Sequence, residues 1–119
     1  ELSRIMLVIK SIMAEKTQLP TLILDEIDTG VSGEMANAMG KRMYEMSHHM
    51  QVISITHLPQ IAALADAHYK VYKDVVGETT QTFLKPLDED ARIEELAEML
   101  GGKNIKESAL RHAQELRNV

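Results

Sequence analysis

Apolar residues recur along this chain with a helical period at both ends and in short runs between. Leu2, Ile5, Met6, Ile9, Ile12 and Met13 fall at three- and four-residue steps, which predicts a helix from about Leu2 to Lys16. Leu7 and Val8 widen its apolar side, so the helix is expected to be well buried. Pro20 breaks it. Thr21–Leu24 then reads as a short parallel strand buried on both faces. Asp28–Gly33 suits a tight loop, with Ser32 as the N-cap of a second helix. Met35, Met39, Met43, Met46 and Met50 form one stripe along that helix, and a core role explains it best. Val52–Ile55 is the next buried strand.

Further along, Pro59 suits the first turn of a short helix through about Ala65. Tyr69–Tyr72 and Thr79–Leu84 predict an antiparallel hairpin around Gly77. Asp88-Glu89-Asp90 opens a helix with Ile93, Leu96, Ala97 and Leu100 on one face, and Gly101-Gly102 ends it. Asn104-Ile105-Lys106-Glu107 resembles a capping box for a last helix through about Arg117. The fold class is therefore α/β: a short parallel sheet with flanking helices, plus a hairpin and C-terminal helices. The unit from Thr21 to Ile55 should be a right-handed parallel crossover.

Composition narrows the classes. At 119 residues the chain is one domain or a piece of one, and 45% hydrophobic residues are enough for a core. Its few aromatics (three Tyr, one Phe) leave eight Met to fill much of the apolar volume. The absence of Cys excludes disulfides and thiolate metal sites. No apolar run approaches the roughly 20 residues of a membrane span. A net charge of −5 argues against a strong phosphate-backbone surface in this chain. Opening on Glu1 rather than Met reads as part of a longer protein.

The chemistry collects at strand ends. Asp25 and Glu26 close the first strand and His57 follows the second, so a parallel crossover brings all three to one sheet edge. Open α/β sheets bind ligands at that edge. One carboxylate there suits a magnesium ion, and its neighbour suits orienting or deprotonating a water. On its own, an Asp-Glu pair more often opens a solvated turn, and a lone His after a strand is usually structural. Their convergence favours a site. His48-His49 reads as a solvated helix end, since adjacent residues point to different sides. Asp28-Thr29-Gly30 also matches retroviral-type aspartic proteases, although those are almost wholly β. A nuclease-like site is weaker, because Asp25 and Asp28 lack Asp-x-Asp spacing. From another class, the chain could be a non-catalytic dimerisation or interaction module.

Taken together, the motifs resemble the C-terminal half of an ATP-binding-cassette ATPase head. The SMC-like branch fits best, and within it the RecN family of bacterial DNA repair and recombination proteins. Glu1-Leu2-Ser3-Arg4 resembles the tail of the Ser-Gly-Gly-Glu-Leu-Ser-Arg signature, whose Ser-Gly-Gly is absent here. Leu24–Gly33 resembles Walker B and the D-loop, and Ile55–Gln60 the histidine switch. By this resemblance Asp25 is the Mg²⁺ anchor, Glu26 the general base and His57 the γ-phosphate sensor. Thr29, Gly30, Val31 and Ser32 hold D-loop positions that cross between two heads. Glu1–Arg4 belong to a helix whose N-terminus faces the ATP of the opposite head.

A Walker A loop, Gly-x-x-x-x-Gly-Lys followed by Ser or Thr, is missing. Gly102-Lys103 has Ala97 at the first glycine position and Asn104 after it, while Gly40-Lys41 has Met35 and Arg42. Residues 1–119 thus read as the C-terminal subdomain of a head, expected to be inactive alone. The resemblance implies a cytoplasmic, nucleoid-associated parent that hydrolyses ATP to ADP and phosphate during double-strand-break repair. Its implied partners are the Walker A half of the same head, a second head in an ATP-dependent dimer, and DNA through the parent protein. No membrane partner is implied.

Overall fold

The computed structural model describes residues 2–104 and 106–118. Along these run α1 (Leu2–Thr17), β1 (Thr21–Asp25), α2 (Gly33–Met46), β2 (Gln51–Ile55), α3 (Pro59–Ala62), β3 (Tyr69–Val76), β4 (Thr79–Pro86), α4 (Glu89–Gly101) and α5 (Glu107–Arg117). After α1, Gln18 turns left-handed at φ 51° and Leu19 N–H donates to the Ala14 carbonyl at 3.2 Å, which ends the helix. β1 and β2 pair in parallel, from Thr21 opposite Gln51 to Asp25 opposite Ile55. β3 and β4 form a separate antiparallel hairpin, from Tyr69 opposite Pro86 to Val76 opposite Thr79.

The methionine stripe of α2 makes the first core. Met39, Met43 and Met46 are buried with Leu7, Leu24 and Ile61, and Met35 and Met50 pack at its margin. Burying each such side chain contributes roughly 1.5–3 kcal/mol. α3 crosses close to α2 at Gly40, where an added Cβ would lie 3.0 Å from Leu64 Cδ1 and 3.2 Å from the Gln60 carbonyl. The next residues of α3 belong to a second core, in which Ala62 and Ala63 pack on Leu96 and Ala97 of α4 and Ala113 of α5. Asp88 caps α4 by accepting from Ala91 N–H at 2.8 Å.

Three expectations change. α1 is not well buried: Leu7, Ser11 and Ala14 are, but Ile5, Ile9, Ile12 and Met13 are exposed. β1 and β2, both expected to be buried strands, are covered on one face only, with Leu24 at 1% exposure, Ile23 at 62% and Ile53 at 43%. Strand alternation puts Leu22 and Leu24 on the methionine side, while Ile23, Ile53 and Ile55 on the other side stay exposed. The N-cap of α5 is Lys106, without a side-chain cap bond, rather than Asn104. Ala109, Leu110 and Ala113 set that start by packing on α4. The remaining residue of the expected capping box, Ile105, lies outside the described residues.

Candidate functional site

The parallel register fixes the layout of the site. Because Asp25 stands opposite Ile55, the segments Asp25-Glu26 and Thr56-His57 leave the sheet at the same edge. Glu26 N–H donates to the Ile55 carbonyl at 2.9 Å, one bond beyond the strand. Glu26 itself adopts a left-handed backbone, φ 49°, a conformation that costs a non-glycine residue about 1–2 kcal/mol. Such strain persists where surrounding structure holds it, and it collects at functional sites. Asp25, Glu26 and His57 are exposed. By alternation Asp25 shares the uncovered face with Ile23, so the candidate metal ligand and the bare apolar surface lie on one side.

The loop after Glu26 is internally braced. Thr29 Oγ1 donates to the Glu26 carbonyl at 3.0 Å, and Val31 N–H donates to the Asp28 carbonyl at 3.1 Å. Gly30 between them has φ 76°, which a side chain would resist. Ser32 is the N-cap of α2 by position, its carbonyl accepting from Ala36 N–H at 2.8 Å, but its hydroxyl makes no cap bond. Thr29, Gly30 and Ser32 are exposed, while Val31 packs at the margin of the first core.

Leu2 and Arg4 lie exposed in the first turn of α1. That helix ends shortly before β1 and buries Leu7 against the cluster containing Leu24, so its start lies toward the same sheet edge. Glu1 lies outside the described residues, as does the side chain of Ser3.

The pairing of two residues at this edge is not foreseen from the sequence. Asp28 is 1% exposed, and its Oδ2 accepts the Thr56 hydroxyl. Thr56 Oγ1 in turn accepts Leu58 N–H at 3.0 Å. The available signal was register: both residues sit just past the ends of paired strands. The protease reading falls here, since Asp28 is buried on the Thr56 hydroxyl in a parallel βαβ unit rather than in an almost wholly β fold.

The segment beyond His57 is anchored from the C-terminal helices. Arg92, buried in α4, donates to the carbonyls of Ala65 at 2.6 Å, Asp66 at 3.1 Å and Ala62 at 3.4 Å. Arg117 donates to the Ala63 carbonyl at 3.2 Å and to Glu89 at 2.7 Å. Both guanidinium groups therefore satisfy carbonyls at the end of α3, where positive charge is favoured. Burial, then the neighbouring Arg92 charge, lowers the pKa of His68. Lys70 is raised, chiefly by its hydrogen bond to Glu95.

No cluster of three or more His, Cys, Asp or Glu able to hold a metal exists among the described residues. The donor set at the edge still fits magnesium, which takes one or two carboxylates and completes its shell with water and phosphate. Between β2 and β3 runs a cleft of about 710 Å³, lined by Val52, Ile53, Ile55, Val71 and Leu84, with the facing strands unpaired to each other. No helix among the described residues is long and apolar enough to cross a membrane.

No family model matches the chain. Over 116 residues, 98% of its length, it is 42% identical to DNA repair protein RecN of Bacillus subtilis. It is 45% identical over the same span to the RecN proteins of Treponema pallidum and of Rickettsia conorii. The chain spans about a fifth of the length of these relatives. Among solved structures, it is similar to one from work on ATP-driven dimerisation and DNA-stimulated activation of SMC ATPases. That match has a TM-score of 0.58 and 18% identity, covering 74% of this chain and 52% of the other, a likeness of fold.

Proposed function

Because the chain belongs to the RecN family, we propose that it is the C-terminal subdomain of an SMC-like ATPase head in a DNA repair and recombination protein. The observation that carries this reading is the β1–β2 register, which delivers two carboxylates and a histidine to one sheet edge. Asp25 holds Mg²⁺ together with water and phosphate oxygens. Glu26 orients and deprotonates the attacking water, and His57 contacts the γ-phosphate. The bound ion supplies charge neutralisation on the phosphates. Glu1, Leu2, Ser3 and Arg4, with Thr29, Gly30, Val31 and Ser32, face the ATP held by a second head, so that hydrolysis requires a dimer.

The phosphate cradle comes from the rest of the protein. Exposed Ile23, Ile53 and Ile55 beside Asp25 support this, as does the apolar cleft between the unpaired edges of β2 and β3. A face of that kind marks an interaction site. The whole protein works in the cytoplasm on DNA, beside the nucleoid.

In the full-length protein, Glu26→Gln should bind ATP but lower turnover by about 10²–10⁴-fold, the usual contribution of a general base. His57→Ala should also slow turnover. Unchanged hydrolysis by Glu26→Gln would remove Glu26 from this role. The same open face supports a second reading, a non-catalytic dimerisation or interaction module. Under that reading the variants would leave association and any turnover alike unchanged.

A further inference from the structure

Asp28 and Thr56 lie on different loops, and neither has a role in the reaction as described above. Asp28 is almost wholly buried, and its Oδ1 has no hydrogen-bond partner among the described residues. An ionisable group in such a place is costly to bury, so packing alone does not account for it. Its Oδ2 holds the Thr56 hydroxyl, and the same hydroxyl oxygen accepts Leu58 N–H at 3.0 Å. His57 is the residue between those two fixed points. On the other side, Asp28 closes the turn to Val31 and follows Glu26 by two positions. Asp28 therefore ties the loop of residues 26–32, through its backbone carbonyl, to the loop of residues 56–58, through its carboxylate.

We propose that Asp28 and Thr56 form a latch that positions His57 and couples it to the loop of residues 29–32. This rests on the ATPase reading of the same edge. Asp28 is a positioning residue: it touches no substrate and acts through Thr56 on the backbone around His57. Displacement of the loop of residues 29–32, for example on docking of a second head, passes through the Asp28 carboxylate to His57. Arg92 and Arg117 hold the far end of the same segment by the carbonyls of residues 62–66, so movement of the Asp28 side concentrates at His57.

The test uses the full-length protein with Thr56→Val, Thr56→Ser and Asp28→Asn, each alone and combined with His57→Ala. Thr56→Val keeps the shape and removes the hydroxyl. It should lower kcat by about ten- to a hundred-fold with KM for ATP little changed, the scale expected for a misplaced catalytic group. Thr56→Ser, which restores the hydroxyl, should recover most of that loss. In the His57→Ala background, Thr56→Val should add almost nothing, because the latch acts through His57. Full activity of Thr56→Val, or a loss that adds to that of His57→Ala, would overturn the latch; if Thr56→Val does not fold, Asp28→Asn alone and with His57→Ala is read by the same two outcomes. If instead Glu26→Gln and His57→Ala both hydrolyse ATP normally, the assignment of this edge as the ATPase site fails, which separates the two claims.

Discussion

The two faces of the β1–β2 sheet are both built from aliphatic residues, yet only one is covered. Leu22 and Leu24 look toward α1 and α2 and meet Met39, Met43 and Met46. Ile23, Ile53 and Ile55 look the other way and remain largely exposed. The exposed flank of α1 continues this mismatch, with Ile5, Ile9, Ile12 and Met13 in the open. A strand made of consecutive apolar residues suits two neighbours, and only one is seen among the described residues. The polar groups repeat the contrast. Arg92 of α4 gives its donors to the carbonyls of Ala65 and Asp66 just beyond α3, whereas at the open edge Asp25 and Glu26 stand exposed.

The largest effect that can break this comparison is a truncation on each face. In the 119-residue chain, Leu24→Ala should lose about 2–5 kcal/mol by leaving a cavity in the methionine core. Ile23→Ala should stay within about 0.5 kcal/mol, as surface changes do. Denaturant unfolding measures both. In the full-length protein, Ile23→Ala should become costly as well. Equal costs in the isolated chain would mean that the open face is already covered there.

A smaller effect tests how α3 is seated. Gly40→Ala forces a methyl against Leu64 and the Gln60 carbonyl, and should destabilise by about 1–3 kcal/mol. Thermal melting of the variant checks it, and a neutral result would show that α2 and α3 separate freely. The smallest concerns pH. His68 has a lowered pKa in the fold, so the unfolded chain binds its proton more readily. Stability is therefore whole above the unfolded value near 6.5 and falls as pH drops below it. His68→Gln should flatten that decline in melting temperature between neutral and mildly acid pH, while leaving the neutral value close to unchanged.

Much of the closed side was legible in the sequence. The element order, the Met stripe, the parallel crossover and the Asp88 start of α4 follow from periodicity and turn chemistry, which are local. The burial of α1 and of Ile23 was misjudged because periodicity tells which residues share a face, not whether a partner for that face lies in the same chain. Arg92 was missed because a charged residue in a helix reads as solvent-facing. Its position four residues before Leu96 put it on the apolar stripe, and that was a usable signal. Asp28 was read in the loop and in Asp-Thr-Gly but not as a partner of Thr56, since Thr56 lies on a different strand end and the two meet only once register is fixed.

On the proposed function, this chain holds the water-activating residues of a head whose phosphate cradle lies elsewhere. Magnesium-dependent ATP turnover, measured for the purified 119-residue chain beside the full-length protein, tests it most directly. Hydrolysis is expected from the full-length protein and none from the chain alone. Turnover by the chain alone, or its absence from the full-length protein, would contradict it.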